Sequence, residues 1–451
     1  MMANQENRVS RTWERPLQPP EGIPSSADVV IIGGGIVGVS AAWFLAKQGI
    51  KVTLCEKGHI AGEQSGRNWG WVRQTARDSR EVPMMMESLK IWDGLAGEIG
   101  EDVGFERGGA MIMARNQKEL GEIAEWMSIA RDFDLDTQVV EGAALENMIK
   151  GASKRWVGAL YSASDGRAEP HKATPAIRRA AERQGATVLT SCAVRGIETA
   201  GGKVSAVVTE HGTIRTSQVL CAAGAWTSLF CRSLGISVPQ LKVKGTVVRL
   251  GESENVLNGN AYDDQLGIRR RQDGGYTAAN GFLLHHSIAL STFRYGVKFI
   301  PALMLEFKKL RLSLGSDLLD EIMTPRKWSL DAESPFEKQR VLNPAPSQKV
   351  IKNTRRAIDR LFPELASAPI VETWAGIVET SPDMVPVMCE SEKLGGFFIA
   401  TGFSGHGFGI GPGAGKASAD MITNADNALD LSEFRLQRFF DGSPIRPQSS
   451  V

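Results

Sequence analysis

The sequence predicts an α/β (α+β) fold, in which a discontinuous Rossmann-like dinucleotide-binding domain carries an inserted domain built on a mixed β-sheet. Three stretches predict it: a strand–turn–helix–strand unit at residues 28–56, a helix, strand, ribbon and strand at 173–226, and a glycine-dense strand–loop–helix at 395–422. At 451 residues the chain is also too long for one hydrophobic core, which favours two domains.

The first stretch has the full dinucleotide-binding fingerprint. A short apolar run at 29–32 is typical of a buried parallel strand, and helical spacing of apolar residues follows it. The intervening glycines permit a tight turn, approach of the backbone to a pyrophosphate, and close helix–strand packing; they are Gly33, Gly35 and Gly38. Glu56 ends the second strand, where it is placed to accept hydrogen bonds from ribose hydroxyls. Ile36, Val37 and Lys57 adjoin these positions and complete the predicted site.

The other two stretches extend the same domain. A helix at 176–184, a strand at 186–189, two hairpin-like runs and a strand ending at Gly224 form the second stretch. A strand at 397–400 and a helix at 413–421 form the third. The predicted dinucleotide-binding domain therefore comprises residues 28–82, 166–236 and 366–426, and the inserted domain comprises 83–165 and 237–365. Residues 1–27 and 427–451 are expected to be tails.

Composition excludes several classes of function. A formal net charge of +1 provides no field for nucleic acid, so no nucleic-acid partner is expected. The five cysteines form no Cys-x-x-Cys pair and the six histidines no His-x-x-x-His pattern, which indicates reduced cysteines, a cytoplasmic protein and no metal site. Residues 1–27 lack the apolar stretch of a secretory signal, and no apolar run reaches membrane-spanning length. The segment 402–405 departs from a hydrolase nucleophile elbow in its glycine spacing.

Residues 297–314 form an apolar stretch that carries Lys308, Lys309 and Arg311. A helix of this kind is expected to cover its own core. Peripheral contact with a membrane or a partner protein is the alternative.

The most specific segment, residues 397–408, reads Phe-Phe-Ile-Ala-Thr-Gly-Phe-Ser-Gly-His-Gly-Phe, and residues 63–70 read Glu-Gln-Ser-Gly-Arg-Asn-Trp-Gly. Together with the turn at 221–226 and Val194, these segments resemble the FAD-dependent amine and amino-acid oxidoreductases of the D-amino-acid oxidase, glycine oxidase and sarcosine oxidase family. The resemblance covers residues 29–422 and implies a FAD-binding domain of the glutathione-reductase type.

The resemblance also implies which further residues hold FAD: Gln64, Ser65, Arg67, Asn68, Trp69, Val194, Ala223, Gly224, Trp226, Gly376, Gly402, Phe403, Ser404, Gly405, His406 and Gly407. Glycines in the 402–407 loop expose backbone N–H groups at a helix start, which suits the polar edge of a flavin. Gly376 stands where sarcosine oxidases carry a flavin-linking cysteine, and residues 63–71 contain no histidine. Noncovalent FAD is therefore expected.

By resemblance, the expected reaction is oxidation of a C–N bond in a secondary amine or amino acid to an imine, with hydride transfer to flavin N5. Such chemistry needs orientation more than a strong acid–base pair. Two departures bear on the substrate, since Val378 replaces the arginine of glycine-oxidase-like members and Gly409 replaces the lysine of sarcosine-oxidase-like members. Either another cation binds a carboxylate, or the substrate is a polyamine-type or N-substituted amine.

Candidates for substrate contact follow from the resemblance and from residue type. The arginines considered are Arg73, Arg269, Arg270 and Arg107, because a planar guanidinium binds a carboxylate through two hydrogen bonds. Of two adjacent histidines on a predicted strand, at most one, taken as His286, reaches a substrate. Tyr276 and Thr277 complete the predicted catalytic set.

Neutral Thr277 aligns with a lysine that lies over the flavin in sarcosine oxidases, so oxygen is expected to be a poor electron acceptor and a quinone or protein acceptor the alternative. Two other functions stay open. A nicotinamide-dependent flavin monooxygenase shares the N-terminal fingerprint but usually carries a Gly-Asp segment where this chain has residues 401–403. The other is a flavin-holding electron-relay subunit of a larger complex.

Overall fold

A computed structural model describes residues 15–149, 151–280, 284–306, 310–315, 317–426 and 429–448. Lys308 and Lys309 of the apolar stretch, and most of the expected N-terminal tail, lie outside the described residues. The helices are α1 (Ile36–Lys47), α2 (Gln64–Arg67), α3 (Val82–Ile99), α4 (Gln117–Ala124), α5 (Met127–Asp132), α6 (Gly142–Met148), α7 (Pro170–Arg183), α8 (Thr227–Ser233), α9 (Leu290–Glu306), α10 (Asp317–Met323), α11 (Pro335–Lys338), α12 (Gln348–Leu361) and α13 (Gly407–Thr423).

The strands are β1 (Val29–Ile32), β2 (Val52–Cys55), β3 (Trp71–Val72), β4 (Glu106–Arg107), β5 (Ala110–Ala114), β6 (Thr137–Glu141), β7 (Gly158–Ser162), β8 (Gly166–Arg167), β9 (Thr187–Leu189), β10 (Val194–Ala200), β11 (Lys203–Thr209), β12 (Gly212–Arg215), β13 (Gln218–Cys221), β14 (Leu241–Leu250), β15 (Asn260–Tyr262), β16 (Gly267–Arg270), β17 (Tyr276–Ala279), β18 (Leu284–Ser287), β19 (Leu310–Ser313), β20 (Ile370–Thr380), β21 (Val387–Glu390) and β22 (Phe397–Thr401).

A six-stranded sheet organises the first half of the architecture. Its order is β21-β22-β13-β1-β2-β9, and all pairs are parallel except β21 with β22. Strands β1, β2 and β22 are buried along their whole length, as expected for a parallel sheet covered on both faces. The sheet combines strands from three separated parts of the chain, and the predicted α/β class is confirmed.

Helix α1 packs tightly against α13 on one face of this sheet. A Cβ added at Gly411 would lie 2.5 Å from a methyl of Ile36, and one at Gly415 would lie 2.3 Å from Ser40 Cβ. Only glycine allows the two helices to approach this closely. Helix α13 begins at Gly407, six residues before the predicted start, so the end of the glycine-dense loop is itself helical.

The second sheet has ten strands, in the order β19-β18-β14-β17-β16-β15-β5-β7-β6, with β20 paired to β14. Its β15–β5 and β18–β19 pairs are parallel and the others antiparallel, which makes it the mixed sheet expected for the inserted domain. Strand β20 belongs here, because its residues pair with β14 from Ile370 to Thr380. The predicted limits assigned residues 366–426 to the dinucleotide-binding domain; the first part of that segment instead completes the second sheet.

The prediction that the apolar stretch covers its own core is wrong. In α9 only Tyr295 and Phe299 are buried, against Leu241. The exposed side chains include Val297 at 81%, together with Phe293, Met304, Leu312 and Leu314. Within the described ranges, no helix combines the length and apolar character needed to cross a bilayer.

A buried ion pair joins Glu169, at the start of α7, to Arg269 on β16 of the second sheet. Arg269 Nη1 and Nη2 lie 2.9 and 3.2 Å from Glu169 Oε1 and Oε2, and each residue is 1% exposed. Arg271 Nη2 lies 3.6 Å from the same carboxylate. Burial opposes the charge on Glu169, but Arg269 and Arg271 hold its pKa well below the ordinary value.

Glu169→Gln is expected to lower the free energy of unfolding by about 3 kcal/mol, because it leaves two buried guanidinium groups without their shared anion. Chemical denaturation near pH 7 measures the loss. Since the folded-state pKa of Glu169 is depressed, the stability difference should be full above its unfolded pKa of about 4.3 and shrink as the pH falls below that value.

Glu98→Gln is the matched control, because Glu98 forms an ion pair with Lys47 at the surface. Its expected effect is about 0.5 kcal/mol or less. Equal losses in the two variants would contradict the assigned role of Glu169.

Candidate active site

A cavity lies at the carboxyl ends of the parallel strands, where ligands bind in open α/β sheets. Its floor includes Ile32, Cys55 and Ala400 at the ends of β1, β2 and β22, and residues 376–379 of β20 form the opposite wall. The cavity therefore lies between the two sheets, and both domains contribute to it.

The fingerprint glycines have the conformations that their spacing predicts. Gly33 has φ +111°, and a Cβ there would lie 2.4 Å from the carbonyl oxygen of Ala222. A Cβ at Gly38 would lie 2.1 Å from the Gly33 carbonyl oxygen, so this residue serves helix–strand packing. At Gly35 a Cβ would lie 3.1 Å from Ser65 Oγ, which accepts a hydrogen bond from Ile36 N at 2.8 Å. The start of α1 thus presents bare backbone at the cavity wall, which fits a pyrophosphate.

Glu56 lines the cavity after β2. Its Oε2 accepts from Gly34 N and its Oε1 from Gly58 N, both at 2.7 Å. Burial raises the pKa of this carboxyl, while the backbone N–H groups and Lys57 oppose that rise. Each carboxylate oxygen keeps a second acceptor site, so the positioned side chain can accept further hydrogen bonds from hydroxyl groups of a ligand.

The end of the cavity beside Glu56 includes side chains from the inserted domain. Arg340 donates to the carbonyl of Lys57 at 2.9 Å and to Glu210 at 2.8 Å. Lys57 Nζ lies 3.0 Å from Glu63 Oε1 and 4.3 Å from the ring centroid of Trp226, whose Nε1 donates to Glu63. The segment that contains Arg340 and Val341 therefore lines this end of the cavity.

At the other end, Gly376 of β20 faces Arg67. A Cβ on Gly376 would lie 3.2 Å from Arg67 Cβ, and Arg67 Nη1 donates to the carbonyl of Ala375 at 3.0 Å. Arg67 is 3% exposed, so a buried guanidinium belongs to this wall. Phe403 and Gly405 of the glycine-dense loop lie beside it in the same cavity.

The structure brings most of the predicted cofactor residues to this one cavity: Gly33, Gly35, Ile36, Val37, Glu56, Lys57, Gln64, Ser65, Arg67, Asn68, Val194, Ala223, Gly224, Trp226, Gly376, Phe403, Gly405 and Gly407. The others lie behind its walls. Gly38 packs α1 on β1, Trp69 contacts Trp71, and Gly402 and Ser404 shape the loop with φ of +75° and +50°. His406 Nδ1 lies 3.6 Å from Glu81.

Sequence reasoning missed other cavity residues, among them His59, Glu63, Phe230, Phe336, Arg340, Val341 and Glu379. Phe336, Arg340 and Val341 are brought there by the tertiary path of the inserted domain, with no local motif to mark them. Glu379 did leave a signal, since it is an acid that directly follows the apolar segment at 374–378.

None of the five predicted catalytic residues lines the cavity. His286 Nδ1 and Nε2 contact the carbonyl of Lys242 at 2.7 Å and Thr292 Oγ1 at 2.9 Å. The Arg270 guanidinium lies 4.8 Å from the Tyr276 ring, and the Tyr276 hydroxyl donates to the Glu254 carbonyl. Thr277 accepts from Arg269 and Arg271 inside the second sheet. These contacts give each of the four side chains a structural role away from the cavity.

The arginine candidates also separate by environment. Arg269 is occupied by Glu169, and Arg107 pairs with Asp93 at the surface, so neither reaches the cavity. Arg73 is buried directly after β3 and donates to the Thr75 carbonyl. Burial, and then the like charge of Arg77, lowers the pKa of Arg73 to about 10.

A buried charge network connects Arg73 to the glycine-dense loop. Arg77 Nε donates to the Arg73 carbonyl at 3.2 Å, and Arg77 Nη1 lies 3.2 Å from Glu81 Oε2. Burial opposes the charge on Glu81, but Arg77 and His406 hold its pKa below the ordinary value. Because His406 precedes α13, this network ties the Arg73 segment to the loop that lines the cavity.

A family model described as FAD dependent oxidoreductase matches residues 28–421. The chain belongs to this family. FAD is accordingly its cofactor, and the bare backbone at the start of α1, the positioned Glu56 and the glycine-lined wall at Gly376 fit that group.

Named relatives span several amine and amino-acid substrates. The chain is 27% identical over 439 residues to mitochondrial sarcosine dehydrogenase of Mus musculus, covering 94% of this chain but 42% of that protein. It is 25% identical to sarcosine oxidase subunit beta of Arthrobacter sp, with 93% of each covered. The solved L-amino acid deaminase from Proteus myxofaciens, in complex with anthranilate, superposes with a TM-score of 0.89 at 34% identity, covering 93% of this chain and 95% of that one.

Glu56→Ala is expected to weaken FAD binding about tenfold to a hundredfold, because charge-assisted hydrogen bonds to the ribose contribute about 1.5–3 kcal/mol. Titration of the apoprotein with FAD measures the dissociation constant. The dissociation constant of Glu56→Gln, which keeps one acceptor oxygen, should lie between those of wild type and Glu56→Ala. Glu98→Ala, at an exposed position, should bind FAD as tightly as wild type. An unchanged constant in Glu56→Ala would show that Glu56 is not a ribose ligand.

Proposed function

We propose that this protein oxidises the C–N bond of an amino acid, or of its N-substituted derivative, to an imine that water then hydrolyses. The observation that carries the proposal is the buried Arg73, whose backbone carbonyl is joined through Arg77, Glu81 and His406 to the loop that lines the FAD cavity. Asp165 and Glu81 already favour the charge on Arg73, and a substrate carboxylate would add a partner that binds through two hydrogen bonds. The likeness to an L-amino acid deaminase supports the same substrate class.

Bound FAD supplies the hydride acceptor at its N5 position. The chain's contribution is to bind and orient: Arg73 holds the carboxylate, and the β20 wall at Gly376 and Val378 confines the reacting carbon. The amine must be neutral to release a hydride from its α-carbon, and apolar Val378 disfavours the ammonium form there. Polyamine-type amines are the second candidate class, since Val378 and Gly409 replace the carboxylate-binding cations of related proteins.

A steric reason explains why position 409 is glycine and not the lysine of sarcosine-oxidase-like members. A Cβ on Gly409 would lie 2.9 Å from the Trp71 carbonyl oxygen and 3.0 Å from Val72 Cα. Helix α13 therefore packs so closely on β3 that a side chain at 409 has no room. Arg73, one residue beyond β3, is the cation that this close packing brings near the loop.

An anaerobic survey of amino acids, N-methyl amino acids and amines tests the substrate class. Bleaching of the flavin absorbance by α-amino acids or their N-substituted forms is expected, with the corresponding keto or aldehyde product formed. Bleaching by amines that lack a carboxylate, and by no amino acid, would favour the polyamine-type class instead.

Arg73→Lys is expected to slow flavin reduction about a hundredfold or more while FAD content stays near wild type. A point charge cannot replace the two-point contact of a guanidinium with a carboxylate. Stopped-flow reduction measures the rate. Arg107→Lys is the matched control, because Arg107 pairs with Asp93 at the surface and should reduce at the wild-type rate. Flavin reduction at the wild-type rate in Arg73→Lys would show that Arg73 does not orient the substrate.

Noncovalent attachment is the proposed state of the cofactor, since Gly376 offers no nucleophile to the flavin. Acid precipitation should release intact FAD into the supernatant. Yellow colour that remains with the washed pellet would demonstrate a covalent link.

The proposed electron acceptor is oxygen or a quinone or protein carrier. Neutral Thr277, from which a poor reaction with oxygen is expected, lies inside the second sheet, whereas Arg67 contributes a positive charge to the cavity wall. Mixing substrate-reduced protein with aerated buffer, and separately with a quinone, compares the two acceptors through their reoxidation rates.

A further inference from the structure

Glu379, at the inner end of the β20 wall, is a carboxylate inside the cofactor cavity. It is 3% exposed, and a Cβ built at Gly224 would lie 4.0 Å from its Oε2. The side-chain amide of Gln64 donates to this oxygen. The backbone amides of Gly402 and Phe403 approach the same carboxylate from the glycine-dense loop. Strand β20, helix α2 and the loop thus meet at one acidic group.

No cation neutralises this carboxylate among the residues that the structure describes. Lys242 is its register partner on β14, but Lys242 Nζ lies 5.2 Å from the Trp226 ring and burial lowers its pKa. On α2, Arg67 donates to backbone carbonyls and to Asn343. Glu63, just before α2, is held by Lys57 and Trp226. Glu379 therefore relies on neutral donors alone.

Burial raises the pKa of Glu379 to about 7, against the hydrogen bonds from Gln64 and from the two backbone amides, which lower it. A cavity open to water can still solvate the anion. A ligand that fills the cavity removes that water, and FAD also brings the negative charge of its pyrophosphate. Both changes disfavour the carboxylate and favour the carboxylic acid.

We propose that Glu379 takes up one proton from solvent when FAD enters the cavity, so that cofactor binding is coupled to pH. The new bond is O–H on the carboxyl group, and no electrons are transferred. In the protonated form Glu379 donates a hydrogen bond, and the Gln64 amide presents its oxygen as acceptor. This inference depends on the FAD site and is independent of the proposed substrate.

The sign of the pH dependence follows from linkage. If the FAD-bound form holds the proton more tightly than the apoprotein, affinity is full at low pH and falls once the pH exceeds the value at which the apoprotein releases that proton. For one proton, the dissociation constant should rise about tenfold per pH unit between about pH 7.5 and 9.

The test is titration of apoprotein with FAD from pH 6.5 to 9 for wild type, Glu379→Gln and Glu372→Gln. Glu372 lies on the same strand, paired with Arg249 at 3.5 Å, so Glu372→Gln controls for changes in β20. In wild type and Glu372→Gln, FAD binding should weaken as the pH rises. In Glu379→Gln, the dissociation constant for FAD should change less than about threefold over the same pH range. A slope in Glu379→Gln equal to that of wild type would overturn the proposal.

Calorimetry of the wild-type protein provides a second measurement that needs no variant. Binding of FAD at pH 8, in two buffers with different ionisation enthalpies, should show uptake of close to one proton. Zero uptake would refute the proposal even if Glu379→Gln failed to fold. Loss of turnover with normal proton uptake would instead count against the proposed substrate chemistry alone.

Discussion

The pairing of β14 with β20 is the constraint on which the cofactor site depends. Ten residues of β14, from Leu241 to Leu250, pair antiparallel with β20, and this ladder holds residues 376–379 over the carboxyl ends of the parallel strands. A one-residue slip would turn each of these side chains to the opposite face of the sheet, because the side-chain period of a strand is two. The positions of Gly376, Val378 and Glu379 relative to the flavin loop are therefore fixed by backbone hydrogen bonds far along the chain.

Charge burial is concentrated where the two sheets meet. Glu169 with Arg269, and Glu81 with Arg77, are ion pairs whose members are 3% exposed or less. Such pairs rarely raise stability above that of an apolar substitute, but removal of one partner is costly, so they strongly disfavour other arrangements of the same elements. They hold β3, α7 and the loop before α13 in one geometry, and a substrate site placed between domains needs that rigidity.

Neither Val378 nor Gly409 offers a cation to a substrate carboxylate in this protein. Val378 stands where glycine-oxidase-like proteins carry an arginine. Close packing of Gly409 on β3 leaves no room for the lysine that sarcosine-oxidase-like proteins carry. Arg73 reaches the region from a different element. Fold alone does not distinguish an amino acid from a polyamine, and the proposed carboxylate contact of Arg73 is what favours the amino acid.

The sequence by itself determined the N-terminal part of the predicted cofactor site. Strand, glycine turn, helix and terminal acid are contiguous, so periodicity and spacing located β1, α1, β2 and Glu56 without reference to the rest of the chain. Only the tertiary structure decided which distant residues share the cavity. Arg340 arrives through a long-range loop path that leaves no local pattern, and the isolated positions of Tyr276, Thr277 and His286 in the second sheet are equally non-local. Local sequence fixes which conformation a segment can adopt, whereas contacts between sheets depend on how the whole chain packs.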